Sequence, residues 1–476
     1  MNERWHLIHD LIGGTLVMRA RGEVWLPKER GEKQELYLNR LRRSVLFNAL
    51  SDTIIRLGSK PFSKNVRLRN EGQISDRLKA LIQNMDGQGM TLTRFAKKMW
   101  RAAAAHGLVH VFIDYPKTGG ETSLAQDQNF RPVAHVIAAC DVIGWHSEVN
   151  SNGIRELTQV RFVEISAQQK PGTYHSGEVR RIRVLNKNEN GVSFELWEET
   201  SPDDRSASWV LIDGGPITFE QIPFVTAYFQ PTSFMMAEPP LESLAWLNLL
   251  HWQSSSDQRN ILKISRVGML AATGIESEKV NSDIVIGPNN TLQSANVDAK
   301  FYWVEHKGAA IGAGQKDIEH LEQSMERLGS KPLIARTSQD TASGHRIHEN
   351  SNNSMVHDWA RALEDSLTDV FLIAAEWVDE SLPIDFSVDI YTDFAALSHS
   401  DGHTELIDRG RSRGDISTET YLREMKRRGA LDEDLVIEEE LRKIQEEKKQ
   451  KAEMEVQIAN NTSNGRDGRN VRDAQE

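Results

Sequence analysis

Leu38, Leu41, Val45, Leu46, Leu50 and Ile54 recur at three- and four-residue spacing within residues 33–57. That single apolar stripe predicts one helix, closed by Gly58 and Pro61. A second helix is expected around 74–84. A third runs from Thr91 to Ala105, with Thr91 at its N-cap and His106-Gly107 as its stop. The period then shortens. Segments 108–115, 132–139, 157–165, 178–186, 193–199 and 208–213 are short and β-rich, and Gly, Asn, Pro and Ser clusters separate them. They predict an antiparallel meander, in which the alternating EVRRIRVL is a half-exposed strand. Helices followed by strands argue for an α+β fold class over a doubly wound sheet.

From Pro239 the pattern changes again. Residues 241–266 contain no Gly or Pro and predict a helix of about 39 Å at 1.5 Å per residue. Its first half is apolar nearly all round, through Leu244, Trp246, Leu250 and Trp252. Its second half is polar and sets Arg259, Lys263 and Arg266 on one face. Such a helix passes from one environment into another. Two β-like pieces follow, 267–273 and 300–306, then a short helix at 315–328. Segment 330–352 lacks periodicity and reads as a long loop. Beyond it, Val356, Trp359, Ala360, Leu363, Leu367, Val370, Phe371, Ala374 and Val378 keep helical spacing as far as Leu382. A strand at 385–394 precedes helical segments at 417–428 and 432–459. Residues 460–476 have almost no apolar content, which predicts disorder.

The 476 residues carry a net charge of −12, which argues against wrapping nucleic acid with a basic surface. The single Cys140 excludes an internal disulfide and a Cys-rich zinc site, and fits a reducing compartment. At the end of an apolar strand, it reads as a buried, inert thiol. The N-terminus is a poor signal peptide and no apolar run reaches membrane-spanning length, so the expectation is a soluble protein made inside a cell.

Candidate chemistry is sparse. His345, His348, Glu349 and His357 do not have the HExxH spacing of a metalloprotease helix, so no metal is expected there. The glycines from Gly308 to Gly314 precede a helix but lack the Lys-Ser/Thr of a phosphate loop, and read as a flexible turn. No acid, base and nucleophile come together. The expectation is a protein that is not an enzyme and needs no cofactor. The Arg259, Lys263, Arg266 face admits two readings: a solvated face completed by ion pairs, or contact with phosphates or an acidic partner.

Several strings, in this order, resemble tailed-bacteriophage portal proteins: LNRLRRSVLFNALSDTIIRLGSKPF, AAHGLVHVFIDYP, PLESLAWLNLLHWQSSSDQRNILKISRVGMLAATG, FYWVEHKGAAIGAGQKDIEHLEQSMERLG and SGHRIHENSNNSMVHDWARALEDSLTDVFLIAAEWV. With the ETYLREMKRRGAL segment they cover nearly the whole chain except its last twenty or so residues. The resemblance implies a portal fold. Residues 1–238 form an α/β wing, 239–266 a first stem helix, 267–314 a small β-containing clip, and 315–330 a second stem helix. A tunnel loop then spans 331–349, and 350–397 hold a long tunnel/wing helix and a wing strand. A helical crown takes 398–459, ahead of a disordered tail at 460–476.

It further implies a homo-oligomeric ring of about a dozen copies at a capsid vertex of the virion, the head–tail junction, assembled after synthesis in the bacterial host cytoplasm. Double-stranded DNA would pass through the ring during packaging and ejection without sequence readout. Protein partners would be the large terminase, major capsid protein, scaffold and head-completion or tail adaptor proteins, with no membrane. By this mapping Lys316, Lys331, Arg336, His345 and Arg346 line the channel or tunnel loop, while Phe301, Tyr302 and Trp303 lie in the clip where terminase or adaptor docks. Arg259, Lys263 and Arg266 form a basic stem face. Long helices with one apolar face and no partner of equal length in the chain agree with packing in a closed ring. Two other classes stay open: a non-ring scaffold or adaptor binding partners through the charged 432–459 helix, and a metal-dependent nuclease or peptidase.

Overall fold

The computed structural model describes residues 3–114, 131–169, 174, 176–189, 191–200, 208–267, 269–273, 298–304, 309–330, 342–392, 401–427, 430–431 and 435–470. The chain divides into two units, Met1–Tyr391 and Thr392–Glu476. Helix and sheet are both present in quantity, in keeping with the α+β expectation.

The first unit opens with α1 (Glu3–Ile12) and α2 (Gly14–Arg21), followed by α3 (Gln34–Arg43) and α4 (Ala49–Ser59). The one helix expected over 33–57 is therefore two. Ser44 turns extended at φ −69°, ψ 126°, and the Asn48 side chain accepts the Ser51 N–H as an N-cap, so the chain breaks before α4. Val45 and Phe47, inside the break, are exposed. Strand β1 (Arg67–Leu68) precedes α5 (Asp76–Gln83) and α6 (Leu92–His106). Thr91 stands at the N-cap of α6 without a side-chain capping bond. Gly107 ends the helix at φ 87°, pressed against the Glu238 carbonyl where a side chain would collide.

Strands follow where the period shortens, but the single meander expected divides into two sheets, with segments 108–115 and 132–139 in the smaller one. β2 (Leu108–Asp114) and β3 (Val133–Ala138) join with a later strand in a three-stranded sheet. β4 (Val142–Val149), β5 (Arg155–Gln169), β6 (Ser176–Asn188), β7 (Gly191–Glu199) and β8 (Trp209–Ile217) form a five-stranded antiparallel meander. The basic residues of β6 are not merely solvated. Arg181 pairs with Glu198 at 2.8 Å, Arg183 with Glu164 at 2.6 Å, and Lys187 with Glu156 at 2.8 Å. Arg181 stands directly opposite its acid, and Arg183 and Lys187 reach theirs diagonally across the neighbouring strand. Strand β9 (Phe224–Tyr228) closes the smaller sheet against β2, with Val111 opposite Val225. Phe112, Phe162 and Phe224 meet at centroid distances of 5.5 and 5.7 Å, making one core shared by both sheets.

A short hairpin of β10 (Pro231–Ser233) and β11 (Met236–Ala237) leads into α7 (Glu242–Val267). Then come β12 (Met269–Thr273), β13 (Lys300–Val304), α8 (Ala309–Ser330), α9 (Ala342–Trp377) and β14 (Val388–Asp389). The strand expected over 385–394 shrinks to two residues paired with β1. Its amides are taken by α9 instead: Val388 N–H donates to Thr368 Oγ1 and Ile390 N–H to a Glu364 carboxylate oxygen. That leaves little edge for a ladder.

In the second unit, α10 (Asp401–Arg413) and α11 (Thr418–Arg427) pack through buried Leu422 and Met425. The Ser417 hydroxyl caps α11 by accepting the Thr420 N–H. α12 (Ile437–Asn470) continues through residues 460–470, where the composition predicts disorder. Low apolar content precludes a buried face there but not a solvated helical backbone.

Candidate functional site

α7 and α8 pack side by side, and their cross-contacts fix the direction. Gly329 lies against Leu244, His251 Nε2 donates to a Glu322 carboxylate oxygen at 3.2 Å, and Gln258 donates to the Ile311 carbonyl at 2.8 Å. Numbers rise along α7 as they fall along α8, so the pair is antiparallel. Gly314 allows the approach, because a Cβ there would strike Gln258, and Gly329 lets α8 close on α4, because a Cβ there would strike Thr53. At the end of this pair β12 and β13 run antiparallel, with Leu270 opposite Trp303 and Ala271 opposite Tyr302. The result is a helix, a β ribbon and a returning helix in consecutive order.

The returning helix is longer than expected. It begins at Ala309 and reaches Ser330, 22 residues, so the glycine-bearing stretch read as a flexible turn forms its first turns. Isolated glycines cost about 1 kcal/mol each in a helix and do not forbid one. At 26 and 22 residues, the two helices are about 39 and 33 Å long and close in length.

The base of α7 is held by polar side chains. Arg40, only 4% exposed, makes two bonds of 3.0 and 2.9 Å to Glu32 and reaches Asp257 on α7 at 3.2 Å. Its hydrogen bonds hold the Glu32 carboxyl below the usual range. Burial pushes Asp257 up, against the attraction of Arg40. Buried Asn248 fills the α3–α4 break: it accepts the Leu50 N–H and donates to the Phe47 carbonyl. Ser44 donates to Ser256 at 2.8 Å, and Gln253 to the Trp25 carbonyl at 2.7 Å. Sequence periodicity missed these residues, since polar side chains on an amphipathic helix read as solvent-facing. The signal available was the Asn-Ala-Leu-Ser cap at 48–51.

Other parts of the pair are left uncovered. Trp246 and Leu250, one turn apart on α7, are 40% and 46% exposed, and Leu328 on α8 is also exposed. At the distal end, Arg259, Lys263 and Arg266 are all exposed and make no ion pair with a described residue. Arg259 borders a groove shared with Arg40, Arg43, Ser44, Ser256 and Asn260. Of the two readings of this face, internal pairing is absent among the described residues.

α9 is anchored along its second half. The Trp359 indole donates to the Phe229 carbonyl at 3.1 Å, and its ring stacks on Phe229 at 4.9 Å and 11°. Trp100 sits edge-on to both. Val356, Ala360, Leu363, Leu367, Val370, Phe371 and Ala374 are buried as the stripe predicts, while Val378 lies just past the helix end and is half-buried. The helix starts at Ala342, so residues 342–349, read as loop, are helical. Once the packed half nucleates the helix, each further residue needs only one hydrogen bond to join, and an apolar stripe is not required.

The remaining sequence-derived site residues fall as follows. Lys316 is exposed on α8. Lys331 and Arg336 lie outside the described residues. His345 and Arg346 are in the first turns of α9, as are His348 and Glu349, but their side chains lie outside the described set. His357 is half-buried on the same helix. Phe301 is half-buried and Tyr302 half-exposed on β13, while the Trp303 side chain is not among those described. Cys140 is half-buried in a 3₁₀ turn, Ala139–Asp141, rather than sealed at a strand end, and burial pushes its thiol up to about 12. No helix among the described residues is long and apolar enough to cross a membrane.

Residues 240–378 match a family model described as a domain of unknown function, DUF4055. The match takes in the helix pair, its β ribbon and α9. No curated protein matches the chain. Among solved structures, a chain in the virion of a native gene transfer agent (GTA) particle is similar at 11% identity and TM-score 0.39, covering 87% of this chain and 98% of that one. One in the neck of an empty GTA particle, computed with C6 symmetry, gives 9% and 0.39 over 82% and 91%. One in the neck of a native GTA particle, computed with C12 symmetry, gives 12% and 0.35 over 86% and 97%. Likeness at this level settles neither fold nor role.

Proposed function

We propose that the chain is a structural protein of the head or neck of a phage-like particle, and specifically its portal: a ring at one capsid vertex through which double-stranded DNA passes. The observation that carries this reading is the antiparallel α7–α8 pair ending in the β12–β13 ribbon. Its base is locked to the α+β body by Arg40 and Asn248, while Trp246 and Leu250 stay open to solvent. Apolar side chains one turn apart on such a pair find cover when a second copy packs beside it, and repeated packing in one rotational sense closes a ring. In this reading α7 and α8 are the stem, β12–β13 the clip, and α9 carries the segment before it toward the channel. Lys316 and the Arg259, Lys263, Arg266 face meet phosphates briefly, as a channel that lets DNA slide requires. Tyr302 and its neighbours on β13 offer an apolar docking edge for terminase or adaptor. No catalytic step is assigned to the chain.

Capsids assembled with and without the chain test the reading. With it, packaging motor and ATP should give nuclease-protected DNA, and without it none. Equal protection in both would overturn the proposal. The adaptor reading, in which the exposed α12 helix captures a partner, predicts instead that truncation after Val436 abolishes partner binding and that the chain never closes a ring.

A further inference from the structure

We propose that His9, His106 and Cys140 form a site for a divalent metal of the zinc class, fastening the N-terminal helix to the sheet edge. The three come from separate elements: the last turn of α1, the final residue of α6, and the 3₁₀ turn between β3 and β4. Their ligand atoms all lie within 4.8 Å of one another. Cys140 Sγ is 3.6 Å from His9 Nδ1. Tetrahedral zinc, with bonds of about 2.3 Å to sulfur and 2.0 Å to nitrogen, sets that edge at about 3.5 Å.

His106 supplies an independent observation. It is 4% exposed, and its Nδ1 lies 3.1 Å from the Ala102 carbonyl. The ring proton therefore sits on Nδ1, which leaves Nε2 with a bare lone pair. That Nε2 is buried and has no hydrogen-bond partner. A histidine that gives its first N–H to a backbone carbonyl while the second nitrogen faces no donor has the arrangement of a metal ligand. Left empty, the same nitrogen is a buried acceptor without compensation. The surroundings hold charge of both signs: Asp10 and Asp141 act on Cys140, and Lys98 and Arg180 act on Asp141. His9 is exposed, so the ion enters from its side and water completes the tetrahedron. Binding replaces the thiol proton by the metal, releasing one proton to solvent with no change in oxidation state.

The consequence reaches the helix pair. α1 also carries Arg4, 3.2 Å from Glu242 at the start of α7, so fastening α1 steadies the base of that helix. The inference stands apart from the portal reading.

Cobalt(II) titration of the untagged, chelator-treated full chain tests it. The expected result is one cobalt per chain with tetrahedral visible bands and a thiolate-to-cobalt charge-transfer band, displaced by zinc. Because Cys140 is the chain's single cysteine, that band reports this site alone, whatever other histidines bind. Cys140→Ser should remove the band, and His9→Ala should weaken binding at least tenfold. If the serine variant does not fold, slowed alkylation of Cys140 by iodoacetamide in zinc-loaded wild type supplies the second readout. No charge-transfer band at saturating cobalt, or an alkylation rate that zinc leaves unchanged, would overturn the proposal.

Discussion

The cluster around Trp100 and Trp359 and the α7–α8 pair are built on opposite terms. In the first, Phe62, Trp100, Phe229 and Trp359 stack or meet edge-on with centroids 4.9 to 5.9 Å apart, and the indole of Trp359 finds a carbonyl. Its apolar surface is covered within the chain, although the buried Trp100 indole N–H has no hydrogen-bond partner. In the second, buried positions are often polar, as at Asn248, His251, Ser256 and Gln258, while Trp246 and Leu250 face outward. An outward apolar pair beside buried polar positions is a surface that a partner can cover. The contrast separates the body, whose aromatic cluster is closed within the single chain, from a helix pair that neighbouring copies complete in the portal reading.

Trp359→Ala should break this contrast from the body's side, with the largest effect. It removes a buried indole and costs about 3–5 kcal/mol, read as a lower denaturant midpoint for the first unit. Glu32→Ala should come next. It strands Arg40, buried and left with the Pro27 carbonyl and half-exposed Asp257 as partners, at a cost of about 3 kcal/mol. Because Arg40 depresses the Glu32 carboxyl, the stability from that pair is present above the ordinary glutamate range and is lost as pH falls through the lowered value. Asn248→Leu should cost about 1–3 kcal/mol by stranding the Leu50 amide and Phe47 carbonyl.

Buried His110 sharpens the body's acid sensitivity. Desolvation lowers it to about 3, and its Nδ1 lies 2.9 Å from Thr226 Oγ1. The unfolded chain binds that proton near 6.5 and the folded one does not, so stability should decline as pH drops below about 6.5. His110→Gln should flatten that part of the profile. The smallest effect on stability belongs to the helix pair: Trp246→Glu with Leu250→Lys should leave the single chain within about 0.5 kcal/mol and still prevent assembly.

Much of the body was legible because its period changes with its elements. The α6 stripe, strands β5 to β8 of the meander and the buried face of α9 all follow apolar spacing. The α3–α4 break was not, because the stripe through Val45 and Leu46 continues across it, while Asn248, which bonds Phe47 and Leu50 on either side of the Asn48 cap, lies about 200 residues further along. β4 was hidden by Gly144 and the polar residues around it. The stem-like pair was visible in α7 but only half visible in α8, whose first turns carry Gly312 and Gly314. The histidine–cysteine cluster was invisible for another reason: residues 9, 106 and 140 share no spacing, and only the fold assembles them.

Electron microscopy of the purified chain, with class averages viewed down the particle axis, tests the central claim most directly. The portal reading predicts a closed ring of about a dozen subunits around a hole wide enough for a DNA duplex, absent in the Trp246→Glu, Leu250→Lys variant. Particles that stay monomeric even with scaffold and capsid protein present would contradict it.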